Sequence, residues 1–147
     1  MGSCFFLVSI HHLIMASVPD NLGHTNHLLL PCPRTPNCVS SLEKNSLNLI
    51  KPITYKDSLE QAKERIFRVI KSMRGTRIVS KEDLYWSVEF TSPLLRFIDD
   101  VEFYFDSSQS LIHVRSSSRK GYWDLGVNRR RIETIRSRFE KFSDDTD

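Results

Sequence analysis

The 147-residue chain has no Cys-x2-Cys pair, no Gly-x-Ser-x-Gly elbow and no Gly-rich loop. It also lacks an apolar run of the roughly twenty residues that cross a bilayer. Each absence removes a class of function. Its one close cysteine pair, Cys32 and Cys38, has Cys-x5-Cys spacing, with only His24 and His27 upstream. A structural zinc site needs four ligands, so no metal is expected. Ser116, Ser117, Ser118, His113 and Asp124 supply the residue types of a hydrolase triad, but without the elbow they read as polar groups near a strand end. "KGYWDLGVNRR" holds only Gly121 and Gly126, too few to cradle a phosphate, and no cofactor is implied. Asp99 and Asp100 are adjacent, so on a strand they point to opposite faces and make a poor acid/base pair.

The first sixteen residues, "MGSCFFLVSIHHLIMA", are apolar but lack the basic start of a secretory signal, and His11 and His12 interrupt them. Phe6 stands where a myristoylation signal needs Ser or Thr. Met15 opens "MASVPDNLG", which reads like an ordinary soluble N-terminus, so residues 1–14 are expected to be a non-structural extension or an upstream mis-start. The absence of a clear signal favours a cytoplasmic location. Three parts are expected: a flexible or non-native extension over 1–27, one α+β domain over 28–142, and an acidic tail over 143–147.

What is present is period. "KDSLEQAKERIFRVIKSMRG" sets Leu59, Ala62, Ile66, Val69, Ile70 and Met73 on one helical stripe. Asp57 and Glu60 lie at capping-box spacing and Gly75 is the stop, which predicts a helix over Ser58 to Arg74. The period then becomes two. In "LYWSVEFT", Leu84, Trp86, Val88 and Phe90 share a face; in "DDVEFYFD", Val101, Phe103 and Phe105 face in while Asp100, Glu102 and Tyr104 face out. "TRIVS" and "LIHVRSSSR" complete four strands, with turns at Lys81 to Asp83 and at "SSQS". Finally Ile132, Ile135, Phe139 and Phe142 form a second helical stripe, with Asn128 as its N-cap. The expected fold is a single α+β domain: helix, four-stranded antiparallel sheet, helix, both helices on one face. The stretch Leu49 to Thr54 offers a fifth, edge strand. The order is TATA-binding-protein-like or helix-grip-like, by analogy alone.

Charge is uneven. Arg115 to Arg138 holds eight basic residues against Asp124 and Glu133, a net of +6, in a chain whose overall charge is +3. That segment is where an anionic partner is sought. Within it Arg119, Tyr122, Asp124, Asn128 and Arg129 surround a glycine-flexed loop entering a helix N-terminus, a place suited to anions. The plainer account is that Asp124 and Asn128 tie down the loop and cap the helix while the arginines are solvated. Nucleic acid ranks lower as a partner, because no stacking platform or reading motif accompanies the basic run.

Two accounts of Cys32 and Cys38 stay open after zinc. A disulfide closing seven residues would contribute about 2.4 kcal/mol in the chain-entropy treatment. The other account is two small residues in a loop stiffened by Pro33 and Pro36.

Three stretches, "PCPRTPNCVSS", "FTSPLLRFIDDVEFYFD" and "IHVRSSSRKGYWDLGVNRRRIETIR", resemble the domain of unknown function 1499 family over about Leu28 to Arg138. The resemblance implies a small α+β domain, sometimes behind a membrane anchor or targeting peptide, hence an extracytoplasmic or membrane-associated location as the alternative. It names no reaction. It implies that the family pattern concentrates on Cys32, Pro33, Asn37, Cys38 and Ser40, on Phe97, Asp99, Asp100 and Glu102, and on Arg115, Ser116, Ser118, Arg119, Gly121, Asp124, Gly126, Asn128 and Arg129. The clip expected from it joins Cys32 and Cys38 beside "GYWDLGVN", with Asn37 and Ser40 bonding that loop's backbone.

The functional expectation is a non-catalytic module binding a small anion or a protein segment through Arg115, Ser116, Ser118, Arg119, Tyr122, Asp124, Asn128 and Arg129. The alternative is an enzyme using Asp99 or Asp124 with Cys38.

Overall fold

The computed structural model describes residues 19–144. The expected extension over 1–14 and the last three residues lie outside that range. The chain runs through β1 (His24–Thr25), β2 (Leu28–Leu29), β3 (Cys38–Ser40), β4 (Ile53–Thr54), α1 (Leu59–Ser72), β5 (Thr76–Lys81), β6 (Tyr85–Thr91), β7 (Ile98–Asp106), β8 (Leu111–Ser118) and α2 (Val127–Asp144).

The α+β class and the antiparallel meander of β5 to β8 follow from the alternating apolar pattern, but the expected order and strand count need correction. The arm before α1 is not merely loop. It supplies β3 and β4, which both pair antiparallel with β8 and raise the sheet to six strands in the order β3-β8-β7-β6-β5, with β4 also on β8. The expected edge strand over Leu49 to Thr54 shrinks to Ile53–Thr54 and one parallel bridge between Ser40 and Leu49. Such two- and three-residue strands are too short to show an alternating period. The arm also forms the small β1–β2 hairpin, whose turn residues Asn26 and His27 both take positive φ, the geometry of a tight two-residue turn that favours Asn. The boundary expected at residue 28 falls inside this hairpin.

Helix α1 is capped one residue later than expected. Ser58, not Asp57, accepts from the Gln61 amide, and the Gln61 side chain returns the bond. Asp57 instead holds Arg65 at 2.6 Å, and Arg65 lies over the Phe139 ring of α2 at 3.9 Å. The helix ends at Ser72 with Met73 already extended, before the expected stop at Gly75; that glycine serves the turn into β5, where its φ is +74° and a Cβ would stand 2.4 Å from the Thr91 carbonyl oxygen. Ile66, Val69 and Ile70 of α1 and Ile132, Ile135 and Phe139 of α2 share one apolar cluster with Val88, Val101, Phe103, Ile112 and Val114. Both helices therefore cover the same sheet face. Burying each such side chain contributes about 1.5–3 kcal/mol.

The opposite face carries a finding the alternation did not disclose. Glu89, Asp100, Glu102, Tyr104 and Arg115 occupy the face read as outward, yet all are buried. The arm covers them: Leu29 packs with Tyr85 and Tyr104, Gly23 donates its amide to Glu102, and His27 meets the Tyr104 hydroxyl at 2.7 Å.

Candidate functional site

Strand alternation puts side chains of β6, β7 and β8 on the arm-covered face in register, so residues two apart form rows. Arg119 lies at the mouth of this layer. Its Nε and Nη2 hold both oxygens of Asp100 at 2.8 and 2.7 Å, and Nη2 also reaches Glu89 Oε1 at 2.6 Å. Arg77 takes the other Glu89 oxygen at 2.6 Å. Burial alone would raise the Glu89 carboxyl, but hydrogen bonds from Arg119 and Arg77 outweigh it and hold its pKa below the ordinary range. The Asp100 bond pushes Arg119 up against the cost of burial, with Glu89 adding to it.

Deeper in, Glu102 and Arg115 face each other across β7 and β8, and both are fully buried. Glu102 Oε2 accepts from Arg115 Nη1 at 2.5 Å; Oε1 accepts from the Tyr85 hydroxyl at 2.8 Å and from Gly23 N at 2.7 Å. Burial, then the Glu102 charge, pushes the Tyr85 hydroxyl far above its ordinary value, so it stays a proton donor. Arg115 Nε and Nη2 have no hydrogen-bond partner among the described residues. These two atoms are the fork of a guanidinium, the edge with which Arg119 grips Asp100.

A second assembly lies where β3 meets the end of β8 and the start of α2. Cys32 and Cys38 are joined by a disulfide. Next to it, Asn37 donates to the Gly121 carbonyl at 2.6 Å, which docks this segment on the "GYWDLGVN" loop. Asn128 corrects the sequence reading. It is a fully buried hub rather than the N-cap: its amide nitrogen reaches Asn37 O, Ser118 Oγ and Asp124 Oδ2, and its oxygen accepts from Ser116 at 2.5 Å. Asp124 does the capping, taking the Gly126 and Asn128 amides at 2.9 and 2.8 Å.

The expected residues thus divide. Arg115 and Arg119 belong to the charged layer, and Ser116, Ser118, Asp124, Asn128 and Asn37 to the hub. Arg129 is directed elsewhere, clamping the carbonyls of Leu47 and Leu49 at 2.8 and 2.9 Å. Tyr122 stands exposed on the loop. Ser40 does not reach that loop; its amide donates to Asn48 O and its hydroxyl accepts from Leu42 N. Cys38 is tied to Cys32, Asp99 holds Arg131, and Asp124 holds the helix, so each of the three groups of the enzymatic alternative is already engaged in a structural bond. The sequence reading missed Glu89 and Tyr85, and had Glu102 only as a residue of the family pattern. The signal was available in register: carboxylates on β6 and β7 facing arginines at the end of β8.

Layer and hub meet at a cleft of about 270 Å³ lined by Leu22, Asn37, Asp100, Ser117, Ser118 and Arg119 among others. Among the described residues no group of three His, Cys, Asp or Glu side chains is placed to hold a metal, and no helix is long and apolar enough to cross a membrane. The family described as "Protein of unknown function (DUF1499)" matches residues 28–139. No curated protein matches the chain.

Proposed function

Because the chain belongs to the DUF1499 family, which carries no established activity, its function must be argued from its own site, and we propose that it is a non-catalytic binding module for a small monoanion. The observation that carries this reading is Arg115: fully buried, with Nε and Nη2 unpartnered. A buried donor left without an acceptor costs about 1–3 kcal/mol, and more when the group is charged. A carboxylate oxygen pair on that fork would recover this cost with bidentate geometry.

The route and the charge support the same reading. Ser117 lines the cleft and follows Arg115 by two residues on the same strand face, roughly 7 Å along β8. Leu22 roofs the cleft while the next residue, Gly23, bonds Glu102. A small ligand would reach the fork from this cleft by passing beneath the arm, since Arg115 itself is fully buried. Glu89, Asp100 and Glu102 balance Arg77, Arg115 and Arg119, so the layer tolerates one added negative charge better than two. The groups of the enzymatic alternative are already engaged with one another's neighbours, which favours binding over chemistry.

Calorimetric titration of the full chain with formate, acetate and orthophosphate tests the proposal. We expect saturable binding of the carboxylates and weaker binding of phosphate. The paired substitution Arg115→Gln with Glu102→Gln removes both buried charges together, so that neither is left unpaired, and should abolish binding. Arg129→Gln, on the helix side, should leave it intact. Absence of saturable binding, or equal binding by the paired variant, defeats the proposal.

A further inference from the structure

Among the described residues, six exposed apolar side chains gather on two loops at one end of the sheet. Leu94, Leu95 and Phe97 are 88, 63 and 49 % exposed; Tyr122, Trp123 and Leu125 are 71, 70 and 73 % exposed. The first loop joins β6 to β7 and is closed at its base, where Ser92 N donates to Phe97 O and Arg96 N to Ser92 O. The second follows β8. Because Asp99 pairs with Ser118 and Arg119 N donates to Ile98 O, both loops leave the sheet side by side. The hub fixes the base of the second loop through Asn37 and Asp124. Neither set of side chains can fold back into the core without dismantling those bonds.

Charge at this end is one-sided. Arg96 and Lys120 are exposed beside the tips; Arg130 is exposed a few residues after Leu125, and Arg74 is exposed next to Gly75, whose carbonyl accepts from Thr91 N at the end of β6. The acidic groups of the same region are committed inward: Asp99 to Arg131, Asp100 to Arg119, Asp124 to backbone amides. Apolar patches of this kind on a folded protein mark an interaction surface. A protein-binding core is depleted of charge, whereas separate apolar tips ringed by cations match a bilayer, whose headgroups carry negative charge above an apolar interior. From this juxtaposition we infer that the Leu94–Phe97 and Tyr122–Leu125 loops dock the protein onto an anionic lipid surface. The tips enter the interfacial region and Arg96 and Lys120 meet the headgroups. This inference does not depend on the anion site beneath the arm.

Co-sedimentation of the full chain with vesicles tests it, comparing phosphatidylcholine alone with phosphatidylcholine mixed with phosphatidylglycerol. The protein should partition onto the mixed vesicles, less so at high salt. Leu94→Ser with Leu95→Ser, and separately Trp123→Ser with Leu125→Ser, should each lower partitioning about tenfold or more. The thermal midpoint should not move, because these side chains are exposed. Failure to sediment with the mixed vesicles overturns the inference. So does undiminished sedimentation of both variants, which would place binding on other residues. Concentration-dependent self-association lost in the variants, without vesicle binding, overturns it as well and assigns the loops to a second copy of the chain.

Discussion

The side-chain amide of Asn128 donates to the backbone carbonyl of Asn37 at 3.1 Å, joining residues 91 positions apart. One buried amide thereby links the disulfide segment, the end of β8 and the start of α2. Removing it takes away the acceptor of the Ser116 hydroxyl proton and loosens Asp124. Asn128→Ala should cost about 3 kcal/mol in urea unfolding, since several buried groups lose partners at once. A loss within experimental error would show that water replaces the hub.

The Cys32–Cys38 bond closes a short loop docked on structure that has its own core. Reduction should therefore weaken the fold by about 2 kcal/mol without unfolding it. Denaturant midpoints with and without reductant check this, with alkylation and mass spectrometry to report the thiol state. Global unfolding on reduction would contradict it.

Acid should act in two stages. Burial lowers the His113 pKa below its ordinary 6.5, against the opposing pull of Asp106. The fold then binds fewer protons than the unfolded chain, so this contribution is complete above that value and declines as pH falls through the folded pKa. Glu89 and Asp106 are also lowered, Glu89 by Arg119 and Arg77 against burial, Asp106 chiefly by the Ser108 hydroxyl. Their contributions are present above the ordinary carboxylate values of 4.5 and 3.8 and are lost below them. Stability measured between about pH 7 and pH 5 should decline in wild type, and His113→Gln should flatten that step while leaving the lower one. A flat wild-type profile would remove His113 from the account.

How far the sequence discloses this arrangement depends on what a pattern can encode. The stripe from Leu59 to Met73 and the alternation from Leu84 to Phe105 identify the faces that make the core, because burial there rests on apolar side chains alone. The opposed directions of Asp99 and Asp100 also follow from the pleat, and the structure gives each its own arginine. Alternation tells which side Glu102 and Arg115 take but not what lies above them. The cover is an arm whose strands are two or three residues long, and no period survives in so few. Asn128 shows a different shortfall. Its residue type fits a cap, yet Asp124 reaches the free amides from outside the helix, which releases the Asn128 side chain to bond Asn37, Ser116 and Ser118 as well as Asp124.

The sheet also has an unequal pair of borders. Beyond β8 the border is occupied by β3 and β4, whereas among the described residues β5 pairs on one side alone. An open strand invites another chain to add to it, the first step toward fibrous association. Here the pairing of β5 slips between Ile78 and Ser80, and Arg77 and Lys81 stand on either side of the slip. A strand arriving from another molecule would meet an interrupted ladder with a cation at each end. Polymerisation through this border is thereby discouraged by β5 itself, with no further element needed to shield it.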